Sequence, residues 1–216
     1  MAFDVVAAFL RLGEKYNIAT LKKDAIMRLQ YDFPSTLGGL GLDATDSMIK
    51  TNETTTTLAR DAVNLAREVG CIDSILPWAF HVLGSHGIHK VVLEGTRSDG
   101  SRVSLSSADQ AIIITGWANG LRQQRQTMKW AYRPGFNYCK DCSIEIFRVI
   151  RTAAMYNPVP ELDGLKEWDE LGFWREICLD CLSAAKASHT EGREAYWEEL
   201  PTLYGLPEWH DLLKED

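Results

Sequence analysis

The chain has 216 residues, of which 45% are hydrophobic and 25% charged. This is the balance of an ordinary globular protein, long enough for one large domain or two small ones. A formal net charge of −7 argues against a basic face for nucleic acid and against docking on an anionic membrane. No apolar run approaches the roughly 20 residues of a membrane span, and the N-terminus lacks a signal peptide's basic region and cleavage site, so an intracellular address, cytoplasmic or nuclear, is expected.

Two amphipathic helices open the chain. Val5, Phe9, Leu12 and Tyr16 fall at i, i+4, i+7 and i+11, one apolar stripe at helical period. Ile18, Leu21, Ala25 and Leu29 form a second stripe, with Thr20 read as its cap and Lys22, Lys23 and Arg28 outside it. Such short helices cannot bury their stripes alone. Pro34 ends the pattern, and the Gly-, Thr- and Ser-rich stretch 35–56 reads as a flexible linker. Thr57 is read as the cap of a third helix with stripe Leu58, Ala62, Leu65, Ala66 and Val69, stopped at Gly70. Ser74 is read as the cap of a fourth, with Pro77 in its first turn and Gly84 at its end.

Val91 to Leu105 is the one strand-like region, with Asp99-Gly100 as a hairpin signal. Ser107 and Gln110 form a capping box before Ile112, and Gly116 and Gly120 are expected to bend or break that helix. After a loop at 133–138, further helices are marked by Ile146, Phe147, Ile150 and Ala154 before Asn157-Pro158, by Leu171, Trp174, Cys178, Leu182 and Ala185, and by 191–199. Pro207 begins a last short helix. The expected fold is mainly α, an irregular multi-helix bundle of about eight or nine helices with at most a short β-hairpin near 90–105. The expected division is a helical pair at 1–34, a linker at 35–56 and a helical C-terminal domain at 57–216.

Cysteine carries the most specific chemical signal. Cys139-x2-Cys142 and Cys178-x2-Cys181 offer four thiolates for a tetrahedral zinc ion. The competing reading is plain thiols, with Cys178 and Cys181 as small hydrophobes on the apolar face of a helix and the first pair in a loop. A catalytic zinc is disfavoured, because a four-cysteine site is closed. His81, His86 and His89 do not have metal-pair spacing and read as surface-loop histidines, and nothing marks Cys71 as a nucleophile. Gly39, Gly41 and Ala44 match a dinucleotide fingerprint only formally, since no strand precedes them. Of the seven tryptophans, Trp78, Trp117 and Trp174 read as core, and Trp209 is the least constrained. No catalytic residue and no organic cofactor site is assigned.

The segment FLRLGEKYNIATLKKDAIMRLQYDFP resembles the C-terminal helices of a BTB/POZ domain. Leu10, Tyr16, Ile18, Leu21, Ala25 and Leu29 fill that family's apolar pattern, and Gly13 stands where a small residue is usual. Phe33 to Leu37, Asp61 to Leu83, Leu105 to Gln110, the two cysteine pairs and Gly192 to Leu212 resemble the long C-terminal region of mushroom-type (basidiomycete) fungal BTB proteins. The sheet-bearing core of that family is expected to be missing ahead of this chain, through natural truncation or because the chain is a fragment. The resemblance implies a non-enzymatic adaptor with a protein partner, either a cullin-type ubiquitin-ligase scaffold or a second copy of the chain. Two other readings stand beside it. One is a zinc-stabilised regulatory or transcription-associated domain. The other is an enzyme on an all-helical scaffold using carboxylates such as Asp61, Glu68 or Asp180.

Overall fold

A computed structural model describes residues 1–40, 47–87, 95–132, 136, 138–144, 146, 162, 164–171 and 177–215. The fold is mainly α, as expected. Among the described residues the helices are α1 (Phe3–Lys15), α2 (Ala19–Asp32), α3 (Thr55–Val69), α4 (Leu76–Ser85), α5 (Ser107–Thr127), α6 (Lys129–Tyr132), α7 (Leu179–Leu203) and α8 (Trp209–Glu215), with a further helical stretch at 140–144. A two-stranded antiparallel hairpin, β1 (Gly95–Thr96) and β2 (Arg102–Val103), pairs Gly95 with Val103. Gly41, Ala44, His89, Val91, the Pro134-Gly135 turn, the expected helix from Phe147 onward and Trp174 lie outside the described residues. The chain divides into two compact units, Met1–Trp117 with Leu200–Asp216, and Ala118–Glu199. Residues 1–34, expected as a separate pair, belong to the first unit. No described helix is long and apolar enough to cross a membrane.

In the first unit, α1 and α2 pack as an antiparallel hairpin. Asn17 turns the chain in the left-handed region (φ 54), and the Ile18 N–H closes on the Gly13 carbonyl at 2.8 Å. The face that α1 buries is not the expected stripe. Val6, Ala7, Leu10 and Gly13 are buried, whereas Val5, Leu12 and Tyr16 are exposed and Phe9 is half-buried. The period was legible and the phase was not. Ala7 and Gly13 admit a closer helix than the bulkier ridge can, and a Cβ on Gly13 would lie 2.6 Å from the Lys22 backbone nitrogen. On α2, Ala25 and Leu29 are buried as expected.

Helix α3 is the centre of this unit, buried on most of its circumference. Its cap is Thr54, whose hydroxyl accepts the Thr57 N–H at 3.2 Å, rather than Thr57 itself. Other starts also differ from expectation. Ile18 stands at the N-cap of α2 without a side-chain cap, so Thr20 lies inside the helix. Ser74 sits in a 3-10 turn (Asp73–Ile75) ahead of α4. Ser106, not Ser107, caps α5, accepting the Asp109 N–H at 3.1 Å while donating to the Asp109 carboxylate at 2.7 Å. The polar groups of α3 hold the following chain. Asp61 is ion-paired with Arg97 of the hairpin turn, Asn64 donates to the Ser104 carbonyl at 3.0 Å, and Arg67 meets Asp109 at 3.0 Å. The expected linker is pinned where it is described. Asp32 accepts the N–H groups of Met48 and Ile49 at 3.1 and 2.7 Å, and Ile49 is fully buried.

Gly116 and Gly120 do not break α5. They sit at close approaches, where a Cβ would fall 2.0 Å from the Tyr204 ring in the first unit and 2.5 Å from the Tyr196 hydroxyl in the second. The two expected helices around Ala185 and 191–199 are one helix, α7, which carries Pro201 in its last turn. Pro207 precedes α8 rather than starting it, and Trp209 is buried instead of free. In the second unit, Trp130 and Trp168 tilt against each other with centroids 4.7 Å apart, and His189 meets both edge-on. The Trp130 indole N–H donates to His189 Nδ1 at 3.3 Å, and His189 Nε2 lies 2.9 Å from the Lys166 carbonyl. That network requires the neutral ring with its proton on Nε2.

His81, expected on a surface loop, is buried on α4 and stacked on Trp78 at 5.2 Å. Burial, followed by the charge of His86, lowers its pKa to about 3, and burial also lowers that of His189. Unfolded histidines take protons near pH 6.5 while these do not, so the unfolded state binds more protons below that value. Stability is therefore full above pH 6.5 and falls as the pH drops toward the folded values. Urea midpoints measured from pH 7.5 to 4.5 should decline through this window, and the imidazole signals of His81 should stay neutral at pH 5. A protonated His81 in folded protein at pH 5 would refute its burial.

Candidate metal centre

The two cysteine pairs share one local design. Each reads Cys-x-Asp-Cys: Cys139-Lys140-Asp141-Cys142 and Cys178-Leu179-Asp180-Cys181. In each, the first cysteine stands just before a helical stretch and the second lies in its first turn. The Ser143 N–H returns to the Cys139 carbonyl at 3.0 Å, and the Leu182 N–H to the Cys178 carbonyl at 2.9 Å. The cysteines therefore occupy the cap position and the third helical position, the spacing of a capping box, with an acidic residue between them where the helix end favours negative charge. The first pair, expected in a loop, is thus at a helix start. Cys178, expected on a buried helical face, is exposed ahead of its helix, while Cys181 is buried.

The design is completed across the pair of helices. The Cys139 N–H donates to Cys181 Sγ at 3.3 Å, and the Cys178 N–H donates to Cys142 Sγ at 3.2 Å. Each helix start gives its cap N–H to the other helix's third-position sulfur. Two N–H groups that helix geometry leaves without intrahelical partners are satisfied by sulfur, reciprocally. All four Sγ atoms lie within 4.8 Å of one another, and Cys139 Sγ and Cys178 Sγ are 4.0 Å apart. Four thiolates at about 2.3 Å from a central ion have edges of about 3.8 Å. Disulfide sulfurs would be about 2.0 Å apart, and all five cysteines of the chain are free thiols.

The four thiols are electrostatically unequal. The Cys181 N–H, with further hydrogen bonds from neighbouring thiols, lowers the Cys178 thiol to about 7. The Cys178 N–H pulls Cys142 down, but neighbouring thiols and burial outweigh it and raise that thiol to about 12. Cys181 is raised in the same way against the pull of the Cys139 N–H. Metal binding takes thiolates, so these four sulfurs could hold a dication once deprotonated. Tyr138, adjacent to the cluster, has its pKa raised by burial and then by the charges of Cys181 and Cys142.

The sulfurs are anchored in the packing of the unit. Buried Cys142 and Cys181 pack with Ile146 and Ile177, while Tyr138 and Leu182 touch both this group and the group of Met128, Trp130, Trp168 and Ala185. Asp61, Glu68 and Asp180 are the carboxylates considered for catalysis. Asp61 is committed to Arg97, Glu68 is bound to Arg11 at 2.6 Å, and Asp180 is exposed in the first turn of α7. The signal that the cysteines cap helices was present in the repeated Cys-x-Asp-Cys. The crossed N–H to sulfur bonds had none, because they join residues about forty positions apart. In metal-free reduced protein, iodoacetamide should modify Cys139 and Cys178 well before Cys142 and Cys181. Peptide mass spectrometry over a time course reads this, and equal rates would contradict the division into exposed and buried sulfurs. No protein-family model matches the chain, and no curated protein or solved structure does either.

Proposed function

We propose that this chain is a non-enzymatic protein-interaction module whose second unit is fastened by one structural zinc ion on Cys139, Cys142, Cys178 and Cys181. The observation that carries the reading is the convergence of four sulfurs within 4.8 Å at two helix starts. Four thiolates fill a tetrahedral shell and leave no position for substrate, so the metal supplies folding energy rather than chemistry. Sulfur ligands suit zinc, and reduced thiols fit a cytoplasmic or nuclear setting. The net charge of −7 supports a protein partner over nucleic acid. The likeness of the first two helices to the end of a BTB domain supports an adaptor role.

The reading rests on metal content, which is directly measurable. Protein purified under reducing conditions should carry one zinc per chain by plasma mass spectrometry. A strong chelator should lower the thermal midpoint and change tryptophan emission, since Trp130 and Trp168 pack in a group that shares Tyr138 and Leu182 with the sulfurs. Less than a tenth of an equivalent of zinc, with unfolding unchanged by chelation, would sink the zinc reading.

The interaction surface is the ridge that α1 leaves outside. Val5, Leu12 and Tyr16 are 41%, 44% and 61% exposed. Their spacing suits a second copy in antiparallel register, with Val5 opposite Tyr16 and Phe9 opposite Leu12, and with Asp4 brought toward Lys15 of the other copy. So small a face supports a weak, reversible dimer. Sedimentation across a concentration series should show a rising average mass, abolished by Leu12→Asp with Tyr16→Asp. A constant monomer mass would remove self-association.

A further inference from the structure

The four sulfurs are not equivalent, and the difference pairs them across the two motifs. Cys139 and Cys178 are solvent-exposed, whereas Cys142 and Cys181 are buried. The buried sulfurs are the ones that accept the crossed N–H bonds from the opposite helix starts. The two exposed sulfurs are 4.0 Å apart. A sulfur that accepts hydrogen bonds in a packed core is shielded and less nucleophilic, and an exposed thiolate meets a dissolved oxidant first.

We propose that the centre is an oxidative modification site at which Cys139 and Cys178 form a disulfide with each other and expel the metal. This rests on the zinc reading above. The co-oxidant is a peroxide. One exposed thiolate attacks hydrogen peroxide, the O–O bond breaks, and a sulfenic acid forms with release of hydroxide. The second exposed thiolate attacks that sulfur, the S–O bond breaks, a second hydroxide leaves, and the S–S bond forms. Two electrons pass from sulfur to peroxide, and the zinc ion departs because two of its four ligands are gone. A dithiol reductant reverses the step, and zinc can then rebind.

The identity of the pair decides the consequence. A bond inside either Cys-x2-Cys would tie a helix start to itself and leave the two motifs unconnected. It would also require a buried sulfur to give up its N–H and turn outward. The Cys139–Cys178 bond links residues 39 apart in sequence and so replaces the metal as the clasp between the two helix starts. Cys142 and Cys181 remain thiols in the core. Oxidation thus changes charge and metal content at the surface of the unit while the two motifs stay joined.

The test uses the full zinc-loaded chain. Hydrogen peroxide is added in steps, released zinc is read with a colorimetric chelator, free thiols are blocked, and peptides are mapped without reduction. The expected result is one zinc released per disulfide, a Cys139–Cys178 linked peptide, alkylated Cys142 and Cys181, and full zinc rebinding after dithiothreitol and added zinc. Cys139→Ser should release no zinc through a disulfide at peroxide doses that empty the parent protein. Where that variant holds too little zinc to compare, the linked-peptide map of the parent decides. Metal retained under excess peroxide, pairing within a motif, or release without a disulfide overturns the inference while leaving the zinc reading intact. Parent protein that never holds zinc overturns both.

Discussion

Two helix starts face one another across a few ångströms in the second unit, and that approach is unfavourable without something negative between them. Each start presents N–H groups with partial positive charge. Sulfur resolves the problem twice over. The cap N–H of each helix finds a sulfur on the other. The four sulfurs that result are close enough together to hold a metal ion. The geometry of the centre follows from two helix ends whose open N–H groups are each met by a sulfur of the other motif.

The first unit solves its own burial problem by a different route. Helix α3 is surrounded on most sides, so its polar groups had to be matched with care. Asp61 with Arg97, Arg67 with Asp109 and Asn64 with the Ser104 carbonyl fix the hairpin and the start of α5. Buried ionic groups of this kind add little net stability compared with apolar replacements but are costly to break singly. The pair with Arg97 satisfies Asp61, the buried carboxylate of α3. Close packing by small residues is the second device, seen where Gly13 lets α2 approach and where Gly116 admits the Tyr204 ring.

A common thread joins the exposed ridge of α1 and the exposed sulfurs. Both are features whose chemistry favours a covered state, and both lie on the surface. The ridge is apolar area exposed on α1, and Cys139 and Cys178 are exposed thiols.

Local spacing was enough to reveal the helices, the hairpin at Asp99-Gly100 and the four clustered cysteines, because helical period, turn chemistry and Cys-x2-Cys are encoded within a few residues. It gave the period of α1 but assigned the wrong face, since Val6, Ala7 and Leu10 compete equally with Val5, Phe9 and Leu12 until a neighbour selects the closer fit. Caps shifted by one to three residues, as at Thr54 and Ser106, because several hydroxyls stand in a row and only one reaches an open N–H. The burial of His81 and Trp209, the continuity of α7 and the crossed bonds between the cysteine motifs depend on partners far away in sequence. Contacts of that range carry no local periodicity, so only the folded chain could choose among them.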